Sequence, residues 1–309
     1  MKRRALLFLL GHLAGYAAAQ GPLDGYLKGK GVLDLAPSFS FNSADQFDGG
    51  NGETFDVPFR GNTLSLFAEY GLSPTLDAVF TAATVFTAEQ SGLQDGGLYL
   101  KYRPWYKTFS DNHKLGLLLG SGLSFPLSDY DPLETGALGQ KAVALPARII
   151  AQWDTRWGPF LNFTGGYTWR LDNLKPEDIE AVKQENPDFV PVDPASYATF
   201  MCKIGLPTKH LYTDAWIEWQ HTEGGSDFMP NVPDLPQAYG VSYTQIGGTV
   251  YFSESGRNGV FLSSGYILQG RNTSRTLRLT VGAVFKPGAK AAPQGAMRHF
   301  GNTGGFARP

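Results

Sequence analysis

The stretch Thr276-Leu277-Arg278-Leu279-Thr280-Val281-Gly282-Ala283-Val284-Phe285 decides how this chain is read. Leu277, Leu279, Val281, Ala283 and Phe285 fall on one face, and Thr276, Arg278, Thr280 and Gly282 fall on the other. A period of two sustained over about ten residues is what a tilted strand needs to cross a bilayer, and this one ends on an aromatic ring. Strands of soluble sandwiches run to about half that length.

The same rhythm recurs along the chain. Alternating stretches are read at 27–41, 62–72, 75–87, 96–103, 114–125, 141–154, 159–171, 197–206, 210–221, 241–252, 259–269 and 276–285. Between them, short connections at 73–74, 155–158, 207–209 and 253–258 alternate with longer ones at 43–59, 126–140, 172–196 and 222–240. The spacing predicts an all-β fold: a transmembrane antiparallel up-and-down β-barrel of about twelve strands, with short turns at one end and long loops at the other. The loop 172–196 opens with Pro176-Glu177-Asp178 before Ile179 and Val182, a helix start with proline and acids in its first turn, and Pro187, Pro191 and Pro194 end it. Such a loop is expected as a surface excursion, with a lid or an inward plug as alternatives.

Composition agrees with a barrel. The 309 residues include 38 glycines, 13% aromatics and only 17% charged residues, which suits tight turns, crowded walls and interfacial girdles. Trp153, Trp157, Trp169 and Trp219 fall near strand ends on the apolar face, whereas the register turns Trp216 inward. A net charge of −2 argues against a nucleic-acid partner. The single cysteine, Cys202, excludes an internal disulfide framework.

The chain opens Met1-Lys2-Arg3-Arg4, continues with the apolar run Ala5–Leu10 and reaches Ala17-Ala18-Ala19, which describes a secretory signal peptide cleaved after Ala19. Residues 20–285 are then the barrel. Residues 286–309 form a basic tail rich in Gly, Ala and Pro, expected to be disordered in the periplasm. The expected location is the outer membrane of a Gram-negative bacterium, with both termini periplasmic and the barrel-assembly machinery as a partner during biogenesis.

With the apolar face against lipid, the opposite face carries Lys28, Lys30, Asp34, Glu69, Asp77, Lys101, Arg103, Arg148, Arg170, Lys203, Asp214, Glu218 and Arg278. These are the candidate lumen-lining residues. Glu69, Asp77 and Lys101 lie on three successive strands and are expected to cluster. They would form either a charged constriction that sorts solutes or a paired network that stiffens the wall. No His-x-Ser pair marks a hydrolase, and His210, Asp214 and Glu218 are spread too far along one strand to converge on a metal. The chain is therefore read as a non-enzyme without cofactor or metal.

The stretch Phe67-Ala68-Glu69-Tyr70-Gly71-Leu72 through Leu76-Asp77, followed by Ser91-Gly92-Leu93-Gln94-Asp95-Gly96-Gly97-Leu98-Tyr99-Leu100-Lys101-Tyr102-Arg103, resembles the "MetA-pathway of phenol degradation" outer-membrane family. In that family a Tyr-Gly-Leu turn precedes a Gly-Leu-x-Asp segment and a strand ending in Lys-Tyr. The resemblance implies a barrel fold and a link to uptake of aromatic compounds, and it carries no site residues. The expected function is passive passage of small, apolar or aromatic molecules. The alternative is a closed structural or adhesive barrel whose long loops bind partners.

Overall fold

The computed structural model describes residues 23–50, 52–88, 90–110, 112–130, 141–171, 175–208, 210–228, 238–253 and 258–287. The signal peptide and the tail beyond residue 287 lie outside them. Twelve long strands form one antiparallel sheet: β1 (Leu33–Asp48), β2 (Thr54–Gly71), β3 (Leu76–Phe86), β5 (Asp95–Ser110), β6 (His113–Pro126), β7 (Ala144–Thr155), β8 (Phe160–Arg170), β9 (Tyr197–Pro207), β10 (Leu211–Thr222), β11 (Ser242–Phe252), β12 (Gly259–Arg271) and β14 (Leu277–Val284). Two short pieces, β4 (Ser91–Leu93) and β13 (Thr273–Ser274), extend β5 and β14 across irregular residues. Every strand pairs with its chain neighbour, and β14 pairs with β1, so the sheet closes. Phe39 opposes Val281 at the seam, and Leu35 and Phe285 exchange both backbone hydrogen bonds, at 2.7 and 2.8 Å. Closure leaves no unpaired edge, which an open sheet in hydrocarbon would expose.

The outward face of the middle of the wall is a belt of exposed apolar side chains. Phe41, Leu64, Leu98, Ile149, Phe200 and Leu279 are each more than 40% exposed, and equivalents occur all round the barrel. An apolar belt of this extent is stable against lipid and not against water. No helix among the described residues is long and apolar enough to cross a membrane; the strands are what cross. Trp153, Trp157, Trp169 and Trp219 stand on the outer surface near strand ends, and Trp216 is buried inside.

The strand ends joined by the short connections β2–β3, β5–β6, β7–β8, β9–β10 and β11–β12 lie at the end that also holds both ends of the sheet, and those joined by longer connections lie at the other. Two expectations about strand ends need correction. The stretch 43–59 is no loop: β1 runs on to Asp48 and β2 starts at Thr54, leaving a turn at 49–53. Likewise the strand read at 96–103 is longer, because β5 continues to Ser110. The β1–β2 hairpin was hidden because its polarity inverts past the bilayer. Phe47, Val57 and Phe59 turn inward there, while Asp45 and Arg60 form a 2.7 Å ion pair on the outside. Above the lipid the outer face meets water, so the apolar residues change sides.

The third correction is at the beginning. Residues 27–32 are not strand. Leu23–Lys28 instead lies inside the barrel at the short-turn end, and Leu23 and Leu27 are buried against Val79, Tyr99, Leu118 and Ile150 of the inner wall. Gly29 and Gly31 take φ of 85° and 79°, left-handed values that glycine adopts without strain, and reverse the chain from this plug into β1. The plug is seated on Gly71, whose backbone exchanges hydrogen bonds with Gly31 and Val32. A Cβ at Gly71 would collide with the Gly29 backbone. Gly71→Ala is therefore expected to cost about 1–3 kcal/mol and to loosen the plug. Urea unfolding in lipid vesicles, with proteolysis of the N-terminal segment, checks this; a neutral effect on both would mean the plug rests elsewhere.

Candidate functional site: a plugged lumen

Inward-facing side chains sort into three levels. At the short-turn end sits a charge network built by the plug. The Lys101 ammonium contacts Asp24 at 2.5 Å, the Tyr26 carbonyl at 2.6 Å and Glu69. Lys28 reaches Asp34 and Glu69, each at 3.2 Å, and its backbone N–H donates to Asp77 at 2.6 Å. Lys286, just past β14, approaches Asp34 at 3.7 Å. Glu69, Asp77 and Lys101 are fully buried. Alternation alone brings these three to one patch of wall, since Asp77 opposes Lys101 and Gly71. It cannot show that a segment from outside the sheet completes the patch.

The plug crosses to the far wall. The Tyr26 ring packs edge-on to Phe160 at 5.7 Å, and its hydroxyl accepts from the Gln152 amide at 3.2 Å. Gln152 in turn accepts from Asn162 at 2.7 Å. For Asp24, burial alone would raise the carboxyl, but the Lys101 and Lys28 charges outweigh it and hold the group well below the usual carboxylate range. A depressed carboxylate stabilises its bound state above its free value of about 4 and loses that contribution only as pH falls through the lower, bound value. The plug is thus expected to stay docked between pH 7 and 5. Asp24→Asn should leave it more accessible to protease at both values, and release of the native plug at pH 5 would contradict this.

The middle level lines a cavity of about 590 Å³. Lys28, Asp34, Arg148, Arg170, Lys203, Asp214, Glu218 and Arg278 all border it, whereas Glu69, Asp77 and Lys101 are sealed beneath the plug. Glu218 accepts a 2.8 Å hydrogen bond from Tyr243, and Asp214 accepts one of 2.7 Å from Tyr212 with Lys203 at 3.5 Å. The Arg278 Nε donates to Asn42 at 2.9 Å, and Arg170 lies over the Tyr197 ring. Two residues given inward positions by the sequence differ. Lys28 is on the plug rather than on a strand, and Lys30 is exposed in the turn that follows it. Missed altogether were Leu23, Asp24 and Tyr26, whose stretch Leu23-Asp24-Gly25-Tyr26 shows no alternation that would place it. The His210 ring lies 3.3 Å from the Ser253 carbonyl, and no group of three His, Cys, Asp or Glu among the described residues could hold a metal.

At the long-loop end an aromatic cluster fills the inner face. Phe228, from the β10–β11 connection, packs edge-on to Phe47 at 5.3 Å and to Tyr239 at 6.1 Å. Asn272, at φ 52°, clamps this connection by accepting from the Phe228 N–H and donating to the Ser226 and Gly240 carbonyls. Arg271 adds a 2.6 Å ion pair to Asp227. The helix α1 (Pro176–Glu185) buries Val182 against Phe189 and Ala238, so the excursion leans on the neighbouring connection. Asn272→Ala removes these buried bonds and is expected to cost about 1–3 kcal/mol and to speed proteolysis at 223–241. Unchanged cleavage would show that the aromatic packing suffices.

A closed sheet with an apolar belt outside and a polar, partly filled interior defines a membrane-spanning β-barrel. Among solved structures it is similar to the COG4313 outer membrane channel from Pseudomonas putida F1, with 14% identity, a TM-score of 0.61, and coverage of 85% of this chain and 98% of that one. It is also similar to the NanC porin, with 10% identity, a TM-score of 0.53, and coverage of 82% and 99%. At these identities the likeness is one of fold. No protein-family model matches the chain, and no curated protein matches it.

Proposed function

We propose that this protein is an outer-membrane channel that lets small solutes, apolar or aromatic ones foremost, pass through a lumen controlled by its own N-terminal segment. The observation that carries the reading is the cavity of about 590 Å³, which is bordered at one end by the plug and along its sides by Tyr99, Tyr197, Tyr243 and Phe67. A cavity of several hundred Å³ suits a small organic molecule. A wall that served only as support would be filled by its side chains. The resemblance of Phe67–Arg103 to an aromatic-uptake family points the same way, and Lys101 and Gly71 within that stretch hold the plug.

Liposome swelling with the refolded mature protein tests this. Swelling in solutions of small neutral aromatic solutes, faster than in sugars of like size, is the expected result. A folded barrel that admits neither would favour the second reading, a closed barrel whose loops bind partners. The structural observation on that side is the combination of plug and aromatic cluster, which occupies both ends of the lumen.

A further inference from the structure

In the middle of the lumen three cations, Arg148, Lys203 and Arg278, stand beside two acids, Glu218 and Asp214, and of the three only Lys203 is ion-paired, with Asp214 at 3.5 Å. Arg148, Lys203 and Arg278 all act electrostatically on Glu218, while Glu218 and Asp214 already accept hydrogen bonds from Tyr243 and Tyr212. Arg278 is only 8% exposed, and its Nη1 is buried without a partner. The Arg148 guanidinium, on the facing wall, makes no hydrogen bond or ion pair within the described residues. The two arginines border the same cavity as Tyr99, Met201 and Phe67. A guanidinium presents five donors in a rigid fork that suits a carboxylate, and a buried donor without an acceptor is costly.

We propose that Arg148, Lys203 and Arg278 form a binding site for the carboxylate of a small organic acid whose apolar or aromatic body rests against Tyr99, Met201 and Phe67. The inference rests on the reading of the lumen as a solute passage and narrows its cargo from apolar molecules in general to those bearing one anionic group. The apolar part of the lining selects against simple ions. The three cations outnumber the two acids, Asp214 and Glu218, that border the cavity beside them, which disfavours amines.

The test is equilibrium dialysis of the full mature chain in lipid nanodiscs against benzoate, benzyl alcohol, benzylamine and acetate, with folding of each variant checked by heat-modifiable gel mobility. Benzoate is expected to bind at least about tenfold more tightly than the other three, and Arg278→Gln or Arg148→Gln should each remove about tenfold or more of that affinity while leaving benzyl alcohol unchanged. Glu218→Gln should tighten benzoate, because it frees the cations it replaces a charge beside; this variant gives a gain that a damaged fold cannot imitate. Equal binding of benzyl alcohol or benzylamine would overturn the proposal, as would acetate matching benzoate, which would mean a site for any small anion. Binding without solute entry into liposomes would instead sink the passage reading and leave the site standing.

Discussion

Lys101→Met should lower the unfolding free energy in lipid vesicles by about 3 kcal/mol, the lower end of what removing one partner of a buried ion pair costs. Lys101 is fully buried and touches Asp24, Glu69 and the Tyr26 carbonyl. Methionine replaces the stem and not the charge, so the loss isolates the electrostatic part. The lower end is expected because Glu69 keeps Lys28 at 3.2 Å and Asp24 is partly open to the lumen. Adding Glu69→Gln should recover part of the loss, since fewer uncompensated carboxylates then remain buried. A cost below about 1 kcal/mol, the range of exposed pairs, would mean that lumen water solvates the network.

Removing the plug should change passage rather than stability of the wall. Deleting residues 23–28 is expected to raise single-channel conductance in planar bilayers about twofold or more, because a twelve-stranded barrel without a filled centre leaves an aqueous path. The strands lose no ladder hydrogen bonds, since the segment precedes β1 and is held by side chains and the Gly29–Val32 turn. It does leave Glu69, Asp77 and Lys101 facing water, which they tolerate better than an apolar interior. Full-length protein should conduct weakly, and Asp24→Asn should lie between the two. If deletion and full length conduct alike, the plug is not the constriction, and the aromatic cluster around Phe228 becomes the place to cut next.

Within Phe67–Arg103 several residues hold parts of the chain that lie outside their own strands. Gly71 permits the close approach of the plug, Glu69 and Lys101 bind it, and Asp95 accepts a 2.7 Å hydrogen bond from Tyr130 in the β6–β7 connection. Each of these residues is an anchor for something outside its own hairpin. Alternation along the strands carries no sign of what these residues anchor, because their partners come from other parts of the chain.

By itself the sequence determined the wall. Strand number, the closing strand 276–285, the outward belt and the inward position of Trp216 all follow from period-two alternation, because which face a strand residue takes depends only on its neighbours and on the lipid outside. The short loops at one end were legible for the same reason. Only the tertiary structure decided what fills the barrel. Leu23–Lys28 has no period to read, and its place depends on Asp77, Lys101, Gln152 and Phe160, which are distant in sequence and meet only when the sheet closes. The upper β1–β2 hairpin was lost because the medium outside it changes from lipid to water and inverts the pattern. Arg148 and Arg278 were visible as inward charges, but that they face one cavity, beside acids that accept from tyrosines, is a consequence of closure alone.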